Sequence, residues 1–120
     1  MNLLLIAVGG AAGAAARYLV SGWVQGWTGA AFPLGTLGVN VTGCVALGLT
    51  MRLTEGLIVA TELRALVAIG FLGAFTTFST FSLEAVLLMQ RGEWARAITY
   101  VGASFLLGLV GLWIGLGAPR

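Results

Sequence analysis

Between Gly70 and Glu84 the chain reads GFLGAFTTFSTFSLE. Five hydroxyls (Thr76, Thr77, Ser79, Thr80 and Ser82) are interleaved there with four phenylalanines (Phe71, Phe75, Phe78 and Phe81). A hydroxyl both donates and accepts hydrogen bonds. An aromatic ring has a negative face and a positive edge. Phe78 and Phe81 are three residues apart, so on a helix they share a face. A pair of ring edges there could attract a small anion in a dry constriction, although the same spacing also serves ordinary packing. Gly70 and Gly73, followed by Thr76 and Thr77, weaken a helix in mid-stretch. An unwound turn frees backbone carbonyls, which suit a hard cation such as Na⁺. A continuous helix, its hydroxyls bonded back to carbonyls four residues earlier, is the competing reading.

Other polar side chains are few. Asn40, in GTLGVNVTG, is the only amide of its apolar segment. Its NH₂ group could meet an anion or make an interhelical hydrogen bond. Tyr100 and Ser104 are one helical turn apart and line one face, while Gly108 extends that row without a donor. Glu84 is a lone carboxylate near the end of its segment and a functional candidate by cost alone. Arg17 could face an aqueous vestibule or snorkel to the interface. Histidine is absent and Cys44 is the single cysteine, so no metal cluster, disulfide or Cys–His nucleophile can be assembled. All six basic residues are arginines and none cluster, which removes the usual footprint for nucleic acid. Neutral donors and ring edges together suit a small, hard, strongly hydrated anion, whose shell must be replaced by several donors at once. They do not suit an enzyme.

The elements that must position these groups are set by hydropathy. The 120 residues are 59% hydrophobic and 8% charged, with mean hydropathy +1.03. A soluble domain carries about 25% charged residues. The chain reads as an all-α integral membrane protein, one four-helix transmembrane domain over residues 1–120, with spans at about 3–23, 34–51, 63–89 and 95–116. The apolar N-terminus lacks a basic leader, so it reads as the first span and not as a cleaved signal. Arg52, Arg64 and Arg120 fall on one side of the membrane and Arg91, Arg96 and Arg17 on the other. This balance leaves the positive-inside rule no preference, so insertion in both orientations is expected. The pairs Gly9/Gly13 and Gly111/Gly115, with Gly35, Gly38, Gly43 and Gly48, predict close helix packing. Four short helices cannot readily enclose a pore, so at least a dimer is expected.

As a set, GGAAGAAARY (residues 9–18), GTLGVNVTGCVALG (35–48) and GFLGAFTTFSTFSLE (70–84) resemble the Fluc/CrcB family of fluoride channels. The resemblance covers nearly the whole chain. It implies an antiparallel, dual-topology homodimer in the inner (plasma) membrane of a microbe. Such a dimer would export fluoride passively through two pores and so relieve its toxicity. It further implies that Phe78 and Phe81 line the pores and that Asn40 contacts fluoride and orients the rings. Thr36, Ser79 and Thr80 would supply nearby hydroxyls, and Tyr100 with Ser104 a polar track. Arg17 would stand in the vestibule and Glu84 beside the pore. The third helix would be broken at mid-membrane, where the carbonyls of Gly73 and Thr76 hold a structural Na⁺ at the dimer centre. Gly108 stands where the family often has a further hydroxyl.

The alternatives are transporters of other kinds. A small multidrug exporter needs a carboxylate in its first span, where this chain has Arg17 and no acid. Glu84 keeps a proton-coupled small-ion transporter open. A membrane adaptor that conducts nothing is a third reading.

Overall fold

Helices that run from one glycine-marked turn to the next are what this composition produces. The computed structural model describes residues 2–29 and 31–117. Four of its helical segments are long and apolar enough to cross a membrane, and no strand occurs among the described residues. Helix α1 is Asn2–Thr28 and α2 is Leu34–Leu53. The third span, Ala60–Gln90, is composite. It comprises α3 (Ala60–Leu63), a π-helical stretch (Arg64–Leu72), α4 (Gly73–Phe75) and α5 (Phe78–Gln90). Helix α6, Trp94–Gly115, closes the domain. The spans end at glycines in the left-handed region, such as Gly29 (φ 58°) and Gly92 (φ 78°), where a side chain would be strained.

Odd spans run parallel to each other, and so do even spans. Lipid gives helices no hydrophobic reason to associate, so they depend on close approach. A methyl group on Gly9 would strike the carbonyl of Leu66, and one on Gly13 that of Phe71. These two glycines therefore seat α1 against the π-helical stretch. A second seam joins α2 to α6, where a methyl on Gly48 would meet the Leu112 carbonyl and one on Gly115 that of Val45. Both glycine pairs are thus used within the chain. The main buried cluster is small: Phe81, Ala85 and Leu88 of α5 with Ala97 and Tyr100 of α6.

On the side of the second loop, Arg64 is occupied by a helix end. Arg64 donates Nε to Thr54 Oγ1 (2.8 Å) and Nη2 to the Met51 carbonyl (3.0 Å), a cation at the C-terminus of α2. Arg120 lies outside the described residues.

Gly48→Val should force α2 and α6 apart and cost about 1–3 kcal/mol, read as a lower denaturation midpoint in detergent. Gly26→Ala, whose added carbon has nothing within 4 Å, should not lower it. Equal midpoints for Gly48→Val and the parent chain would refute the seam.

Candidate functional site

The helix stops at Phe75 and resumes at Phe78. Thr76 (φ −84°, ψ 158°) and Thr77 (φ −150°, ψ 120°) are extended between. Two side chains make this possible. Thr77 N–H, which in a continuous helix would donate to the Gly73 carbonyl, donates to Asn40 Oδ1 at 2.8 Å. Asn40 Nδ2 donates in return to the Thr77 carbonyl at 3.1 Å, so one amide clamps both polar groups of one residue. Thr80 N–H, the helical partner of the Thr76 carbonyl, donates to Thr77 Oγ1 at 3.1 Å as an N-cap. The carbonyls of Gly73 and Thr76 have therefore lost their helical donors. Between them, the Ala74 carbonyl accepts from Arg17 Nε at 3.1 Å. Thr76 behaves otherwise and bonds back to the Leu72 carbonyl at 3.0 Å.

The rings gather just beyond. Phe78 and Phe81 have centroids 5.7 Å apart, yet Phe81 is buried while Phe78 is 72% exposed. Phe81 also meets Tyr100 (5.1 Å) and the edge of Phe105 (6.0 Å). Tyr100 is fully buried and donates its hydroxyl to Glu84 Oε1 at 3.0 Å. Thr36, buried on α2, faces the same phenol oxygen.

A cavity of about 210 Å³ opens beside the break, lined by Asn40, Thr76, Thr77, Phe78, Phe81 and Ser104, with Cys44 and Phe105. Ser104 Oγ is buried without a hydrogen-bond partner, so the cavity holds one uncommitted donor. Asn40 keeps a second amide hydrogen beyond the one given to Thr77. These donors, with aromatic rings and no carboxylate among the lining residues, can replace part of an anion's hydration shell.

Five of the twelve sequence-selected residues line the cavity: Asn40, Thr76, Phe78, Phe81 and Ser104. Gly73 and Thr76 sit at the break, Thr80 is half-buried beside it, and Tyr100 and Glu84 form the layer behind Phe81. Ser79 is exposed, 3.4 Å from the Thr77 hydroxyl, and Gly108 is buried against Cys44 Sγ. Arg17 lies half-buried along α1, bonded into the break. Sequence reasoning missed Gln25 and Phe32. Gln25 donates to the Phe32 carbonyl (3.0 Å) and accepts from Gly35 N–H (2.9 Å), and Phe32 is seated edge-on to Tyr100 (5.5 Å, 87°). A polar amide near the end of an apolar span was the available signal.

Residues 4–116 match the family model described as CrcB-like protein, Camphor Resistance (CrcB). The chain is 49% identical over 121 residues to a fluoride-specific ion channel FluC of Magnetococcus marinus, covering 100% of this chain and 98% of that one. It is 50% identical over 120 residues to the protein of the same description from Geobacter sulfurreducens, covering 99% and 97%. For that of Nitratidesulfovibrio vulgaris the identity is 45% over 120 residues, again covering 99% and 97%.

Asn40→Leu keeps approximate size but leaves the Thr77 N–H and carbonyl without partners. An abandoned buried polar group costs about 1–3 kcal/mol. The variant should therefore unfold at a lower midpoint in detergent, whereas a midpoint equal to the parent's would show that the clamp contributes nothing.

Proposed function

The chain belongs to the CrcB family, and on that premise we propose that it is a fluoride channel. The Asn40–Thr77 clamp carries this reading, because it opens a span beside a cavity whose walls offer only neutral donors and ring edges. Fluoride is small and strongly hydrated, and loses its shell only where several donors meet it together. Asn40 and Ser104 are the free donors in our reading, with Thr36, Ser79, Thr80 and Tyr100 as the polar groups around them, and Phe78 and Phe81 guide the ion with their edges. Glu84 flanks the pore, and Arg17 supplies positive charge beside it. Its relatives are named as ion channels, so we read the chain as a channel and not as an enzyme.

The family resemblance also implies a resident Na⁺, and the residues fit it. Two carbonyls relieved of their helical donors, at Gly73 and Thr76, are neutral oxygen ligands for a hard monovalent ion. When bound, the ion would hold the extended turn and add a fixed positive charge near the anion's route. One chain offers only two such oxygens, so a second copy would complete the shell. Gly73 and Phe78 are both exposed, which fits their facing a partner. We therefore read the assembly as an antiparallel, dual-topology homodimer with two pores, the third span broken at mid-membrane. The balanced arginines support both orientations. Passive fluoride export across a microbial inner membrane, relieving toxicity, is the physiological role.

Purified protein in KF-loaded vesicles, with valinomycin carrying K⁺, should release fluoride rapidly and chloride hardly at all. Retained fluoride from a folded dimer supplied with Na⁺ would remove the channel reading. Phe78→Ile with Phe81→Ile should slow release sharply while the dimer persists, and unchanged release would end the ring assignment. Release insensitive to an imposed proton gradient is expected, and a proportional response would favour the proton-coupled alternative.

A further inference from the structure

A second cavity, of about 290 Å³, lies at the end of the domain bounded by the α1–α2 turn and α5. Gln25, Ala31, Pro33, Glu84, Leu87, Leu88 and Arg91 line it. The amide of Gln25 is committed to the turn through Phe32 and Gly35. Two charged groups therefore set the field in the cavity, Glu84 and Arg91. They are not an ion pair: at this end of the domain the pair that forms is Arg96 with Glu93, at 2.7 Å, and Arg91 has no carboxylate within 4 Å among the described residues. Arg91 is also exposed, so its guanidinium meets solvent.

Between the linings of this cavity and of the one beside the break runs a layer of contacts from Glu84 through Tyr100 to Phe81. Glu84 lines the outer cavity and accepts the Tyr100 hydroxyl at 3.0 Å. Tyr100 lies 5.1 Å from the ring of Phe81, and Phe81 lines the inner cavity. An anion approaching this layer from outside meets the Glu84 carboxylate first. Alone, that charge repels it. A guanidinium in the same cavity cancels the repulsion and raises the local anion concentration, an effect of charge placement over distances that salt can screen.

Resting on the channel reading above, we propose that the outer cavity is a mouth of the conduction path. It takes a small hydrated inorganic anion, and Arg91 is the charge that admits the anion past Glu84. The backbone around Arg91 does not depend on its side chain, because Arg91 N–H donates to the Leu87 carbonyl at 3.1 Å and Gly92 N–H to that of Met89 at 3.0 Å. Substitutions there keep the fold.

Fluoride currents across planar bilayers, with NaF as the only salt, test this. They should be recorded at about 10 mM, where the screening length is about 30 Å, and at about 1 M, where it is about 3 Å. Arg91→Gln should pass roughly three- to tenfold less current than the parent at the lower concentration and nearly the same at the higher. Arg91→Glu should lose more, and Arg91→Lys should match the parent. The proposal is overturned if Arg91→Gln and Arg91→Glu conduct like the parent at low salt. It is equally overturned if Arg91→Lys falls as far as Arg91→Gln and salt does not narrow the gap, since that marks a structural role. A parent that passes no fluoride current removes the channel reading and this mouth with it.

Discussion

A span in lipid must satisfy its own backbone, because no water is at hand to replace a lost hydrogen bond. The rest of the structure follows from how Thr76 and Thr77 meet that constraint. Their stretch abandons helical geometry, and two of the amides it releases, Thr77 N–H and Thr80 N–H, are taken by Asn40 and by the Thr77 hydroxyl. The carbonyls left over are few and specific: Ala74's goes to Arg17, and those of Gly73 and Thr76 point toward a cation in our reading. The same two side-chain groups thus make the break affordable and decide which oxygens it exposes.

Asn40 and Arg17 can act there only because their helices are held in place. Helix α2 is fixed against α6 by the Gly48/Gly115 seam, which sets the height of Asn40 opposite Thr77. Helix α1 is fixed against the π-helical stretch by Gly9 and Gly13, one turn below Arg17. The α1–α2 turn contributes from the other end, where the Gln25 amide holds Phe32 against Tyr100 and Tyr100 against Phe81. Small residues set distances, amides fix turns, and aromatic rings pass the resulting register to the cavity wall.

Much of this was legible in the residues themselves. A chain with 8% charge and four long apolar runs has few folds available, and polar side chains stand out against such a background. Asn40, Ser104 and the Thr-Thr pair were found for that reason. Other features depend on partners distant in sequence. Arg17 read as a vestibule or snorkelling charge, whereas the contact with Ala74 joins residues 57 apart. Phe78 and Phe81 looked equivalent because spacing places both on one face, but only neighbouring α6 decides that Phe81 is covered and Phe78 is not. The π-helical stretch has no local signature in its apolar residues, and Gln25 matters only through its bonds to Phe32 and Gly35. Hydroxyls were ambiguous one by one: Thr76 bonds back along its helix, and Thr77 caps the next one.

In our reading one amide, Asn40, builds the ion site by holding the extended turn. The most direct test is the initial rate of fluoride release from vesicles by Asn40→Leu, compared with the parent at matched dimer content. The account predicts a fall of at least roughly tenfold, equivalent to about 1.4 kcal/mol in the barrier, with chloride still retained. Release at the parent's rate would contradict it.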